Sequence, residues 1–132
     1  MIRFVFAIPL IAHGLAHISG FIASWTPASA GYPIDRPWLL SADITLTSPV
    51  GKAFGLLWLV AALGLAGSGL GLIFRQEWWP NLATMAAVIS LVVIVPWWRT
   101  VPTGAWVGAA FDMLVIILLT TPLKARILDL VG

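Results

Sequence analysis

From Val50 to Phe74 the chain runs for about seven helical turns with one charged residue, Lys52. A helix made of that run is apolar on every side, which suits a bilayer or a deep core and not a surface. Three more runs share this character, at 2–25, 79–98 and 104–121. Each is near the roughly 20 residues that cross a hydrocarbon core of about 30 Å. Charged residues make up 9% of the chain, against about 25% in an ordinary soluble domain. The expected fold is all-α: a polytopic membrane protein with one transmembrane domain over residues 1–132. The spans form a four-transmembrane-helix up-down bundle at about 2–25, 50–74, 79–98 and 104–121, with a long outer loop at 26–49.

The breaks are as informative as the runs. RQEWWPN (75–81) and WWRTVPTG (97–104) gather charge, proline and glycine, and PLKARILDLVG (122–132) reads as a charged tail. A basic MIR start and the small residues ASA (28–30) would also fit a signal peptide. The first run is longer than a signal h-region, so it is expected to stay as a span. With both termini inside, the inner face carries Arg3, Arg75, Lys124 and Arg126, and the outer face Arg36, Lys52 and Arg99. This bias, with the basic tail directly after the last span, places the N- and C-termini on the cytoplasmic side of the cell membrane. Trp25, Trp78, Trp79, Trp97, Trp98 and Trp106 fall at span ends, as an interfacial aromatic belt requires.

Several function classes are excluded. The chain has no cysteine, so disulfides, thiolate zinc sites, iron–sulfur clusters and cysteine nucleophiles are absent. A net charge of +2 spread over several loops is no nucleic-acid surface. No nucleophile elbow, zinc-protease helix, phosphate loop or dinucleotide fingerprint occurs. The partners expected are the lipid bilayer and either other membrane subunits or a second copy.

Small residues bring helix backbones together in lipid. Gly51/Gly55 and Gly67/Gly71 are GxxxG pairs in the second run, and Gly104/Gly108 is the equivalent pair in the fourth. These six are the packing candidates. Ala83, Ala86, Ala87 and Ser90 offer a small face on the third. Pro9 and Pro96 lie within runs and are expected to kink them. In the outer loop, four prolines exclude a single helix, PWLL (37–40) can lie at the interface, and DITLT (43–47) alternates like a short strand. The loop is expected to cap the outer mouth of the bundle.

Against this background HGLAHISGF (13–21) stands out, with two ionisable rings four residues apart. That spacing puts His13 and His17 on one helix face, with Pro9, Gly20 and Ser24. Histidine facing hydrocarbon is costly, so the face points into the bundle. Asp112 is the other ionisable group deep in a run, on the stripe Gly104, Gly108, Asp112. At 1.5 Å per residue it lies roughly 12 Å below the outer end, between His17 at roughly 10 Å and His13 at roughly 16 Å. In an up-down bundle the first and fourth helices are neighbours. Asp112 is therefore expected to pair with His17 or His13, directly or through one water. Four uses stay open: a structural clamp between helices, a metal site made of His13, His17 and Asp112, a proton relay or quinone-type site, and a cofactor site in which His13 or His17 ligates a tetrapyrrole. No particular cofactor is implied.

HGLAHISGF, followed by SPVGKAFGLLWLVAALG (48–64) and the Trp78–Trp79 pair, resembles a group of small four-span bacterial membrane proteins. Those share an H-G-L-x-H-x-x-G-F first helix and a G-x-L-W-x-x-A-A second helix. The resemblance covers the chain in layout and the first two helices in motif. It implies that His13 and His17 belong to a signature, and it implies no activity. The expected function is an accessory or structural subunit of a larger membrane complex. The alternative is a membrane-embedded redox, proton-handling or metal- or cofactor-binding protein built on the His/His/Asp cluster.

Overall fold

The computed structural model describes residues 1–32, 41 and 43–132. They form five helices: α1 (Ile2–Trp25), α2 (Pro49–Ile73), α3 (Trp79–Ile94), α4 (Ala105–Thr120) and α5 (Leu123–Val131). No strand is formed among the described residues, and Asp43 to Thr47 are turn and irregular backbone where a short strand was expected. Arg36 and the PWLL segment lie outside the described residues.

Two helices, α1 and α2, are long and apolar enough to cross a membrane. A third candidate is the pair α4 and α5, bent by 94° at their junction. The expected third span is shorter than 79–98. Its helix stops at Ile94 after 16 residues, about 24 Å, less than a hydrocarbon core. Pro96 explains the stop, because it has no N–H to donate and its ring clashes with the carbonyl four residues back. Pro9, by contrast, sits inside an unbroken α1.

Local chemistry sets the other boundaries. The Ser48 hydroxyl accepts from the Gly51 amide at 3.2 Å and Pro49 opens α2, a favoured start. At its far end Gln76 N–H reaches Gly71 O and Arg75 N–H reaches Leu72 O, the two bonds of a Schellman cap. Arg75 takes the left-handed φ of 56° that this cap demands. Thr121, extended before Pro122, ends α4 as a residue preceding proline tends to. The tail is therefore a short helix turned across the end of α4. Ile127 and Val131 face the core, while Leu128 and Leu130 are left exposed.

Consecutive helices pack on one another, α1 on α2, α2 on α3 and α3 on α4, and α5 returns to touch α1. The α1–α2 seam is the closest. A Cβ on Gly14 would lie 2.7 Å from Ala66 N, and one on Gly20 would enter the Trp58 ring. Of the six packing glycines, Gly55 meets Ser24, Gly71 meets Trp78 and Trp79, and Gly51 meets the carbonyls of Thr45 and Leu46. Gly67 has only an ordinary contact with Leu82, and Gly104 meets nothing within 4 Å. Gly108 packs on the ring of His13. Trp25, Trp78, Trp98 and Trp106 are exposed at helix ends, but Trp79 and Trp97 are buried. Trp97 packs against Phe54 and Trp58 in the core, so it is no belt residue. The flanks of the 26–49 loop are anchored: Tyr32 stands edge-on to Trp58 and Leu46 is fully buried.

Candidate functional site: a hydrogen-bonded relay beside a cavity

His13 and His17 share the inward face of α1, and their rings meet edge to face with centroids 4.6 Å apart. Asp112, fully buried on α4, reaches across to them. His13 Nε2 is 3.0 Å from Asp112 Oδ1. The other carboxylate oxygen, Oδ2, is hydrogen-bonded to the Ser90 hydroxyl on α3. Ser90 Oγ in turn lies 2.6 Å from His17 Nε2. His17 Nδ1 closes the circuit by donating to His13 O, at 3.0 Å. The expected pairing thus forms through His13, and His17 reaches the carboxylate through a serine instead of a water.

Ser90 was legible only as a small residue for packing. A serine in an apolar helix most often bonds its own carbonyl one turn back, as Ser68 and Ser24 do here. The stretch AAVISLVV carries no signal that this one turns inward to a carboxylate. Gly108 has a sharper role than backbone packing. A Cβ there would sit 2.6 Å from His13 Cε1, so the bare glycine is what lets the imidazole lie against α4.

The protons of this circuit can be counted. A carbonyl only accepts, so His17 carries a proton on Nδ1. Ser90 has one proton and two neighbours, His17 Nε2 and Asp112 Oδ2. Whichever neighbour does not receive it must bring its own. Either Asp112 is a carboxylic acid donating to Ser90, or His17 is an imidazolium donating to Ser90. In both arrangements the cluster holds one proton more than a carboxylate with two neutral imidazoles, and its net charge is zero. The two interconvert by shifting two protons along the Asp112–Ser90–His17 bonds. In both, Asp112 Oδ1 accepts from His13 Nε2–H. A neutral cluster is also what an apolar interior favours.

The relay borders a cavity of about 450 Å³ between α1 and the first half of α4. His13 and His17 form its polar end, and Tyr32, Trp58 and Phe111 give it aromatic walls. Tyr32 is the titratable loop residue there among the described residues, and burial pushes its phenol above the ordinary value of 10.0. The His13 side chain keeps 14% of its surface accessible, whereas Asp112 keeps none. A second, apolar groove of about 210 Å³ continues along the same seam toward α5 and shares Pro9 and Phe111 with the first.

His13, His17 and Asp112 also offer ligand atoms within 4.8 Å of one another, a donor set compatible in kind with iron or zinc. Two features disfavour a metal. Both Nε2 atoms and both carboxylate oxygens already have hydrogen-bond partners. A divalent ion over one carboxylate would also leave net positive charge among apolar helices. Tetrapyrrole ligation by one histidine would have to break one of the same bonds, or use His13 Nδ1.

No family model, curated protein or solved structure matches this chain. The class that the fold defines is an all-helical protein with two or three helices apolar enough to cross a membrane. The resemblance to small four-span proteins rests on its motif residues alone.

Proposed function

We propose that this chain is an integral membrane protein that holds a small apolar ligand between α1 and α4 and exchanges a proton with it through His13, Asp112, Ser90 and His17. The observation that carries the reading is the continuous hydrogen-bonded circuit, with an accessible histidine at the cavity and a sealed carboxylate behind it. A helix clamp needs one bond; here four are linked through groups able to pass protons. The cavity falls within the roughly 300–1,000 Å³ usual for small-molecule sites.

The same proposal takes the chain as a four-span bundle in the cell membrane, with both termini inside. Supporting it, α3 packs between α2 and α4, and the apolar run continues from its last residue to Trp98. The basic residues of α5 follow the last apolar helix directly.

The test compares Asp112→Asn with the unaltered protein in bilayers, by infrared spectroscopy across a pH titration. Asparagine reproduces the acid arrangement bond for bond: its carbonyl accepts from His13 Nε2–H and its amide donates to Ser90. It has no proton to release. The expected result is carboxyl and imidazole bands that change together in the unaltered protein, and imidazole bands without a carboxyl band beside them in Asp112→Asn, with the backbone amide bands of the two superimposable. Spectra without any titrating carboxyl or imidazole band would make the cluster a clamp. The accessory-subunit reading would then take its place.

A further inference from the structure

The proton count constrains the ligand more tightly than cavity size does. His13 must keep its proton on Nε2 for Asp112 Oδ1 in every neutral arrangement of the relay. Its Nδ1 is then a bare lone pair. That nitrogen has no protein partner among the described residues, and it is not among the side-chain atoms sealed from the surface without one. The ring lines the larger cavity. An acceptor of this kind calls for a ligand that donates. A carbonyl or ether oxygen would meet it lone pair to lone pair.

The surroundings add shape. The space beside His13 has aromatic walls from Trp58, Phe111 and Tyr32, which favour a flat ring in edge or offset contact. The narrower groove beyond Pro9 and Phe111 is lined by aliphatic side chains such as Leu10, Leu114 and Leu118. It suits a hydrocarbon tail. Side chains of α1 and α4 line both cavities along this seam, and this is the side from which a molecule dissolved in the bilayer would enter.

Resting on the function proposed above, we infer that the ligand is a lipid-soluble hydroxyarene, a phenol or hydroquinone bearing an apolar tail, whose hydroxyl donates to His13 Nδ1. Asp112 makes His13 a good acceptor. It fixes the tautomer and stabilises the imidazolium that forms when the hydroxyl proton moves onto Nδ1, as the buried carboxylate does in a nucleophile–histidine–carboxylate triad. The ring lies against Trp58 and Phe111, and the tail follows the groove toward Leu118. Asp112 and Ser90 are positioning residues for this contact; within the relay, His13 alone bonds the ligand.

The probes are 4-nonylphenol, its methyl ether, a 4-nonylcyclohexanol and a nonyl-substituted benzoquinone. Each is titrated calorimetrically into the full chain in lipid nanodiscs, with empty nanodiscs subtracted. The phenol should bind about tenfold or more tighter than the ether and the quinone, the loss typical of an unpaired buried acceptor. It should also outbind the cyclohexanol. His13→Phe keeps an aromatic ring and removes the acceptor; there, phenol and ether should bind alike. Equal binding of phenol and ether to the unaltered protein, a preference for the quinone, or a phenol preference that survives His13→Phe would each overturn the inference. A cyclohexanol binding as well as the phenol would overturn the aromatic part. These outcomes leave the infrared titration of Asp112 untouched, so failure of the ligand class and failure of the relay are told apart.

Discussion

The two seams of α1 are built on opposite principles. Against α2 the backbones nearly touch: Gly14 faces Ala62 and Ala66, Gly20 lies under Trp58, Gly55 faces Ser24, and Gly69 faces Ala7 and Ile11. Ser24 bonds its own helix, at Gly20 O, and the side-chain bond that crosses, Trp25 Nε1–H to Lys52 O, lies at the exposed end of the seam. Against α4 the contact is made by side chains, around two cavities, and its polar tie is the His13–Asp112 bond. Lipid supplies no hydrophobic force between helices, so close packing is what stabilises the first seam. The second gives up that packing for a fixed set of hydrogen bonds. A closed seam makes a scaffold, and an open one leaves room beside the relay.

The contrast breaks most sharply at Gly14. Gly14→Val places branched carbons where the α2 backbone stands 2.7 Å from a bare Cβ. Overpacking of this kind, with no flexible neighbour to give way, should cost about 3 kcal/mol or more. The check is the folded fraction in detergent during thermal unfolding. A folded Gly14→Val protein with unchanged stability would remove the distinction between the seams.

On the open seam the largest effect belongs to Asp112→Leu. It leaves His13 Nε2–H without its acceptor and takes one of the two partners of Ser90 in an apolar interior, at about 2 kcal/mol. Asp112→Asn should lie within about 0.5 kcal/mol of the parent, since every bond of the circuit has a donor and an acceptor. Denaturant titration of the two variants side by side measures the split. Equal, large losses in both would mean that charge, and not hydrogen bonding, holds α4 to α1.

Glycines on α4 sharpen the comparison at smaller scale. Gly108→Ala sets a methyl 2.6 Å from His13 Cε1; the ring must turn, at about 1 kcal/mol, and its NMR signals should move. Gly104→Ala meets nothing within 4 Å and should stay within about 0.5 kcal/mol.

The smallest effect concerns the roof of the cavity. Tyr32 is the sole tyrosine of the chain, so its phenolate absorbance titrates alone. Burial opposes the phenolate, so the folded protein holds this proton more tightly than the unfolded chain does. Its contribution to stability is complete below pH 10.0, the ordinary phenol value, and is lost as pH rises through the higher folded value. A midpoint above 10.0 is expected in the folded protein, and one at 10.0 or below would put Tyr32 outside the packed bundle.

How much of this was legible in the residues follows the same division. The apolar runs dictate helices, and depth along two of them matched Asp112 to the histidines, because rise per residue is nearly constant. The open seam itself was not legible. It depends on how far apart the first and fourth helices stand, which no local pattern encodes. Ser90 was hidden for a related reason: its partner choice depends on an aspartate 22 residues away in sequence. The stop at Ile94 could have been taken from Pro96, whereas the turn of α5 across α4 could not, since PLKARILDLVG reads equally well as a solvated tail. GxxxG spacing selected Gly55 and Gly71 but also Gly67 and Gly104, whose neighbours do not come close. Spacing picks out a helix face, and only tertiary structure decides what meets it.

The ordering of protons in the relay is read by ¹⁵N solid-state NMR of histidine-labelled protein in bilayers at neutral pH. With His13 and His17 the only histidines in the chain, assignment needs one substitution. The expected result is His13 protonated at Nε2 with Nδ1 bare, and His17 protonated at Nδ1 with its Nε2 bonded to Ser90, whichever of the two arrangements holds the extra proton. His13 carrying its proton on Nδ1, or both rings titrating independently as free imidazoles do, would contradict it.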